Sequence, residues 1–295
     1  MIAVPSGLAG AVLAVLAATL LAVQALCIRV GTDDGGSVEA LGVVLAVNLL
    51  LYIPGAMAFK PTATLSPVAI GAFALAGLVG AVIGRGAYYA AIGSIGASRT
   101  EPIKASQPLH ASVIAVLVLG ETLTAGVLVG IVCIIVGVAV VSVRSTDSAD
   151  GDMRLSGLAL AFGAALAYGI EPTIASVGLD AGTPLLVGLA VKTAVATGLT
   201  FVVLARRGSL VTEFTAPGRR WYVAAGVANT LFQVAYYGAL SVGSVVSVVP
   251  VIQTSPLFVA ALAALLLPRR ERVTPVLVGA SCLVVVGAIL VTLSG

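Results

Sequence analysis

Apolar runs of roughly twenty residues follow one another along this chain, separated by short breaks rich in Gly, Pro or charge. They fall at 7–29, 38–59, 66–92, 98–119, 123–143, 155–177, 183–205, 219–240, 244–268 and 273–294. A helix crossing the ~30 Å hydrocarbon layer needs about 20 mostly apolar residues, so the pattern predicts ten membrane helices. The first run, Gly7 to Ile28, is longer than the apolar region of a signal peptide and has no positive segment before it; it reads as the first span. The one polar stretch without a span is Ser145–Arg154. Asp147, Asp150 and Asp152 could pass for metal ligands there, but the calcium-loop spacing is missing, and the stretch reads as a solvated linker.

That linker sits at the midpoint, which invites a search for an internal repeat. A shift of 148 residues lays Ala87-Tyr88-Tyr89 on Ala235-Tyr236-Tyr237, Pro102 on Pro250 and Pro108 on Pro256. After a two-residue slip Glu121 and Thr124 meet Glu271 and Thr274, and Val-Leu-Val-Gly recurs ending at Gly130 and Gly279, each followed by Cys133 or Cys282. One tripeptide match is chance, whereas an ordered series is a repeat. The expected organisation is a first unit over 1–144, the linker 145–154 and a second unit over 155–295. Each unit holds five spans, an odd number, so the second must insert upside down. The expected fold class is therefore an all-α polytopic membrane protein of ten transmembrane helices in two inverted five-helix repeats. Such repeats are a signature of secondary transporters, which hold substrate near the midplane between the halves.

Composition removes the competing classes. Of the 295 residues 60% are hydrophobic and 9% charged, with a mean hydropathy of +1.17, whereas soluble domains carry about 25% charged residues. The same values exclude a disordered chain. A net charge of +3 with no basic stretch interleaved with aromatics excludes a nucleic-acid partner. The abundant Gly suits closely packed membrane helices. Cys27, Cys133 and Cys282 lie in apolar runs without a C-x-x-C, and the single His110 cannot build a metal site alone. No metal or cofactor is expected.

Span four reads Pro108-Leu-His-Ala-Ser-Val-Ile-Ala-Val-Leu-Val-Leu-Gly120-Glu121, followed by Thr124 and a Gly-rich fifth span. It resembles the Pro…Gly-Glu hallmark that closes the fourth helix in EamA-type members of the drug/metabolite transporter superfamily. The second copy, Pro256 to Glu271, carries Pro268 in place of the Gly and two inserted residues. The resemblance covers essentially the whole chain and implies a ten-helix transporter of small metabolites in the cell membrane. The motif is architectural and names no substrate.

Charge within the spans carries the functional expectation, because a charge at the bilayer centre costs at least ~2.5–3.5 kcal/mol. The spans contain Arg85, Glu101, Lys104, His110, Glu171 and Lys192. Arg85 and Lys104 lie about ten residues either side of a turn near Ile95, which puts both ~15 Å below it. Glu171 and Lys192 lie at similar depth below the turn near Asp180 on the opposite face, so all four converge on the midplane. At the positions matching Arg85, Glu101 and Lys104 the second half has Gln233, Val249 and Ile252, so the charges are not part of the shared architecture. Arg85, Lys104 and Lys192 are candidates for an anionic substrate group, with Tyr88, Tyr89, Gln233, Tyr236 and Tyr237 as candidate cavity walls. Asn48 and Asn229 are further polar candidates. Glu171, beside Pro172, is the first candidate for proton coupling, with Glu101 second and His110 a possible relay. The bland alternatives are ion pairs Arg85–Glu101 and Glu171–Lys192 that fix helix register, and His110 as a packing residue. Glu121 and Glu271, at helix ends, are expected to cap the next span.

Eleven Arg residues lie in loops after odd-numbered spans and only Lys60 in a loop after an even one. The positive-inside rule then places both termini outside the cytoplasm, while the family resemblance implies the reverse. The expected activity is secondary active export of a small amino-acid-like, anionic or zwitterionic metabolite, coupled to protons or driven by exchange. Expected partners are that small molecule, the lipid bilayer and protons, in a monomer or homodimer. An intramembrane enzyme is disfavoured, since H-E-x-x-H and G-x-S-x-G are absent. Two alternatives stay open: multidrug or cation efflux through Glu101 or Glu171, and a non-transporting scaffold built on Gly80-x-x-x-Gly84 and Gly126-x-x-x-Gly130.

Overall fold

A computed structural model describes residues 6–31, 37–58, 66–95, 100, 103–144, 155–206, 218–266 and 275–294. Among these the chain forms helices and no strand. Helices α1 (Ser6–Gly31) and α2 (Ser37–Ala58) are followed by α3, which runs through Pro67–Ala76, a π-helical stretch Gly77–Gly84 and Arg85–Ile95. Next come α4 (Gln107–Leu119) and α5 (Ala125–Arg144), then α6 (Leu155–Asp180), α7 (Leu185–Arg206) and α8 (Arg219–Leu240). Helix α9 is split into Val245–Ile252 and Ser255–Leu266, and α10 is Pro275–Ser294. Among the described residues five stretches are long and apolar enough to cross a membrane: Leu8–Gly31, Ala40–Ala58, Pro67–Ala91, Leu155–Asp180 and Leu185–Val203. Shorter apolar stretches are Gln107–Leu119, Ala125–Val140, Val245–Val259 and Cys282–Ser294, and the linker 145–154 lies outside the described residues.

The halves interlock rather than sit side by side. Helix α1 packs on α8 and α9, and its counterpart α6 packs on α3 and α4. Likewise α2 on α8 is matched by α7 on α3, while α2 meets α7, α4 meets α9 and α5 meets α10. Exchanging the halves maps each of these contacts onto itself or onto another of them. The α5–α10 crossing depends on missing side chains. A Cβ on Gly130 would lie 2.6 Å from the Gly287 carbonyl oxygen, and one on Gly287 the same 2.6 Å from that of Gly130. Only small residues allow backbones this close.

The breaks in α4 and α9 are built identically. Before the first full turn of α4, the Ser106 hydroxyl donates to the Ile103 carbonyl at 2.7 Å; in α9 the Thr254 hydroxyl donates to that of Val251, also at 2.7 Å. Two residues on, Pro108 and Pro256 lack an N–H, which removes the helical donor to the Lys104 and Ile252 carbonyls. The two sites are 148 residues apart, the spacing of the repeat.

Glu121 departs from its expected role. Gly120, at φ 68°, ends α4 in the left-handed region that glycine adopts freely. The chain then turns so that the Glu121 carboxylate accepts from Val245 N–H and Val246 N–H, both at 2.8 Å. It caps α9 in the other half, where the helix dipole favours a negative charge. The next span, α5, is capped by Thr124, whose hydroxyl accepts from Val127 N–H at 3.2 Å and donates to the Ser294 carbonyl at 2.9 Å. Glu271 lies outside the described residues.

Candidate functional site

Between the halves lies a cavity of about 240 Å³, to which α1 to α4 and α6 to α9 all contribute. Arg85, Lys104 and Lys192, the three basic residues that the sequence places inside spans, all line it, as does Glu171. The two interrupted helices reach it at their breaks, through Lys104 and Gln107 on one side and Ile252 and Gln253 on the other.

Local structure explains how Glu171 and Lys192 are seated. Gly80 and Gly77 in the π-helical part of α3 leave room for them: a Cβ at Gly80 would meet the Glu171 side chain at 2.6 Å, and one at Gly77 the Lys192 carbonyl oxygen at 2.5 Å. Such π segments are frequent at functional sites. Glu171 is almost fully buried, and its Oε1 is 2.8 Å from Lys192 Nζ. The Tyr237 hydroxyl donates to the same oxygen and accepts from Lys192 Nζ, closing a triangle. Lys192 also donates to Gln233 Oε1 at 3.3 Å. From there an amide chain continues, Gln233 donating to Asn229 at 3.1 Å and Asn229 to Gln24 at 2.8 Å. Asn48 meets Asn229 at 2.7 Å and the Thr230 hydroxyl at 2.9 Å.

The other wall is different. Lys104 Nζ lies 4.9 Å from the centre of the Tyr88 ring. Arg85 has no hydrogen-bond or ion-pair partner among the described residues, although it lines the cavity. The Glu171–Lys192 pair weighed in the sequence therefore forms, while Glu101, proposed to pair with Arg85, lies outside the described residues.

Three candidates, Tyr88, Tyr89 and His110, are not among the residues that line the cavity. Tyr88 and Tyr89 do not wall the cavity as Tyr236 and Tyr237 do. Tyr89 is 57% exposed, because the Arg85–Ile95 part of α3 packs mainly on α6, whereas α8 is covered by α1, α2 and α7. Tyr236 stacks on Phe232 at 5.8 Å and 10°, and both line the cavity. His110 is away from it, packed edge-on against Phe162 at 4.9 Å with Nδ1 buried and unbonded.

Gln107, Tyr168, Thr193 and Gln253 also line the cavity and were not singled out from the sequence. One signal existed. Pro172 has no N–H for the carbonyl four residues back, that of Tyr168, and Gln107 Nε2 donates to it at 3.2 Å.

A family model for the EamA-like transporter family matches residues 8–143 and again 155–293. The chain belongs to the EamA-like transporter family. That membership makes it an integral membrane protein of a transporter family rather than an enzyme family, and the two matches correspond to the two interlocked halves. Among solved structures, a crystal structure described only as that of a protein is similar with a TM-score of 0.76 over 97% of this chain and 96% of that one, at 17% identity. At that identity the likeness concerns the fold. No curated protein matches the chain.

Proposed function

We propose that this EamA-like protein is a secondary active transporter of a small anionic or zwitterionic metabolite, working by alternating access between two inverted five-helix repeats. The observation that carries the reading is the Arg85 guanidinium, which has no partner among the described residues, in a cavity shared by both halves. A bilayer protein has no gain from an uncompensated charge within a membrane span unless a ligand meets it. Arg85 and Lys104 receive the anionic group, and the amide chain from Gln233 to Asn229 provides neutral hydrogen bonds. The interrupted α4 and α9, both reaching the cavity at their breaks, are the discontinuous helices that such transporters use at their sites.

Glu171 is the coupling group in this reading. While ionised it holds Lys192 at 2.8 Å; a proton on it frees that ammonium and raises the positive charge of the cavity. Proton and substrate occupancy are thereby linked. The multidrug alternative finds less support, since Glu171 is already paired and about 240 Å³ falls below the ~300–1,000 Å³ of drug-sized sites. In proteoliposomes, anion flux is expected to follow an imposed pH gradient, and Glu171→Gln is expected to keep exchange while losing the response to the gradient. Flux indifferent to the gradient in the unaltered protein refutes the coupling.

A further inference from the structure

We infer that the transported solute is a hydroxylated organic anion without an ammonium group, such as a hydroxy acid or a polyol phosphate, rather than an amino acid. This rests on the transporter reading above and narrows its substrate.

The charges around the cavity decide the matter. Its described walls carry three cations, Arg85, Lys104 and Lys192, against one carboxylate, Glu171. An amino acid needs a cation for its carboxylate and an anion for its ammonium. Arg85 supplies the first, having no partner among the described residues and a planar fork of donors that matches a carboxylate or phosphate. Among the described residues the second, Glu171, is already taken. Any ammonium approaching Glu171 comes up against Lys192 Nζ, 2.8 Å from Glu171 Oε1, and against the Tyr237 hydroxyl bonded to the same oxygen. Juxtaposed like charges are strongly unfavourable in a desolvated site. What remains is neutral and suited to hydroxyls: Gln107, whose Nε2 is committed to the Tyr168 carbonyl while its Oε1 still accepts, and the linked amides of Gln233 and Asn229.

Glycerate and serine test this cleanly, since they differ by a hydroxyl in place of an ammonium. Glycerol 3-phosphate, as a third probe, separates phosphate from carboxylate recognition. Melting of the purified full-length protein in detergent is followed with each probe, because a ligand of the folded state raises the melting temperature by mass action. Glycerate or glycerol 3-phosphate is expected to bind at least about tenfold tighter than serine. Arg85→Gln is expected to abolish that binding. This variant installs the residue found at the matching position of the second half, Gln233, and its melting temperature without ligand shows whether it is folded. Serine binding as tightly as the anions overturns the inference. So does anion binding that survives in folded Arg85→Gln, or a panel in which neither anion binds. The transporter reading fails separately, if the protein binds an anion and proteoliposomes containing it move none.

Discussion

Replacing Lys192 by Met strands the largely buried Glu171 carboxylate without its cation. In the intact protein that carboxylate has an ammonium at 2.8 Å, and the Tyr237 hydroxyl bonds both partners. The side chains are only 13% and 8% exposed, so solvent screens the pair weakly. Removing one member of a buried pair costs about 3–5 kcal/mol, most of it the penalty of the charge left behind. Glu171→Gln leaves Lys192 with Gln233 and Tyr237 and should cost less. The double variant has no buried charge to strand and should recover much of the loss. A double-mutant cycle, read by unfolding in detergent with increasing denaturant, should give a coupling of about 2 kcal/mol, within the range of 0.5–3 kcal/mol seen for contacting residues. For a chain of 295 residues a drop of 3 kcal/mol lowers the melting temperature by roughly 5 °C. If the two single losses add within about 0.5 kcal/mol, or Lys192→Met is as stable as the parent, the pair is not the electrostatic unit described.

Three further outcomes follow from other parts of the molecule. Glu121→Ala removes two charge-assisted hydrogen bonds from the start of α9 and should destabilise the protein by about 2 kcal/mol or more in thermal unfolding; Thr124→Ala, which touches only α5 and the Ser294 carbonyl, should cost less. Gly130→Leu places a side chain where even a Cβ meets the Gly287 carbonyl oxygen at 2.6 Å, so it should lose about 1–3 kcal/mol from overpacking or force α5 and α10 apart; a parent-like melting temperature contradicts the close crossing. The eleven Arg residues in odd-numbered loops predict that a reporter active only in the cytoplasm is silent when fused after Gly295, and activity there reverses the orientation.

The sequence showed the helices, the repeat and the convergence of charge for one reason: each depends on spacing along the chain. Lys192 and Glu171 could be placed at one depth by counting residues from a turn, and the structure has them in contact. What stayed hidden depends on neighbours far away in sequence. A hydropathy window averages over the two-residue turns at Ser106 and Thr254, so α4 and α9 looked continuous although Pro108 and Pro256 were in view. Tyr88-Tyr89 and Tyr236-Tyr237 are the same tripeptide element in the two repeats, yet α8 is packed on several sides while the end of α3 is covered mainly by α6. No local pattern separates them. Glu121 was legible as a cap, but its partner, 124 residues on, was not.

Counterflow in proteoliposomes tests the central claim most directly. Vesicles preloaded with unlabelled glycerate and diluted into labelled glycerate should accumulate label transiently with the intact protein, and vesicles containing folded Arg85→Gln should not. Equal accumulation with both would mean that solute crosses by a route other than the cavity between the two halves.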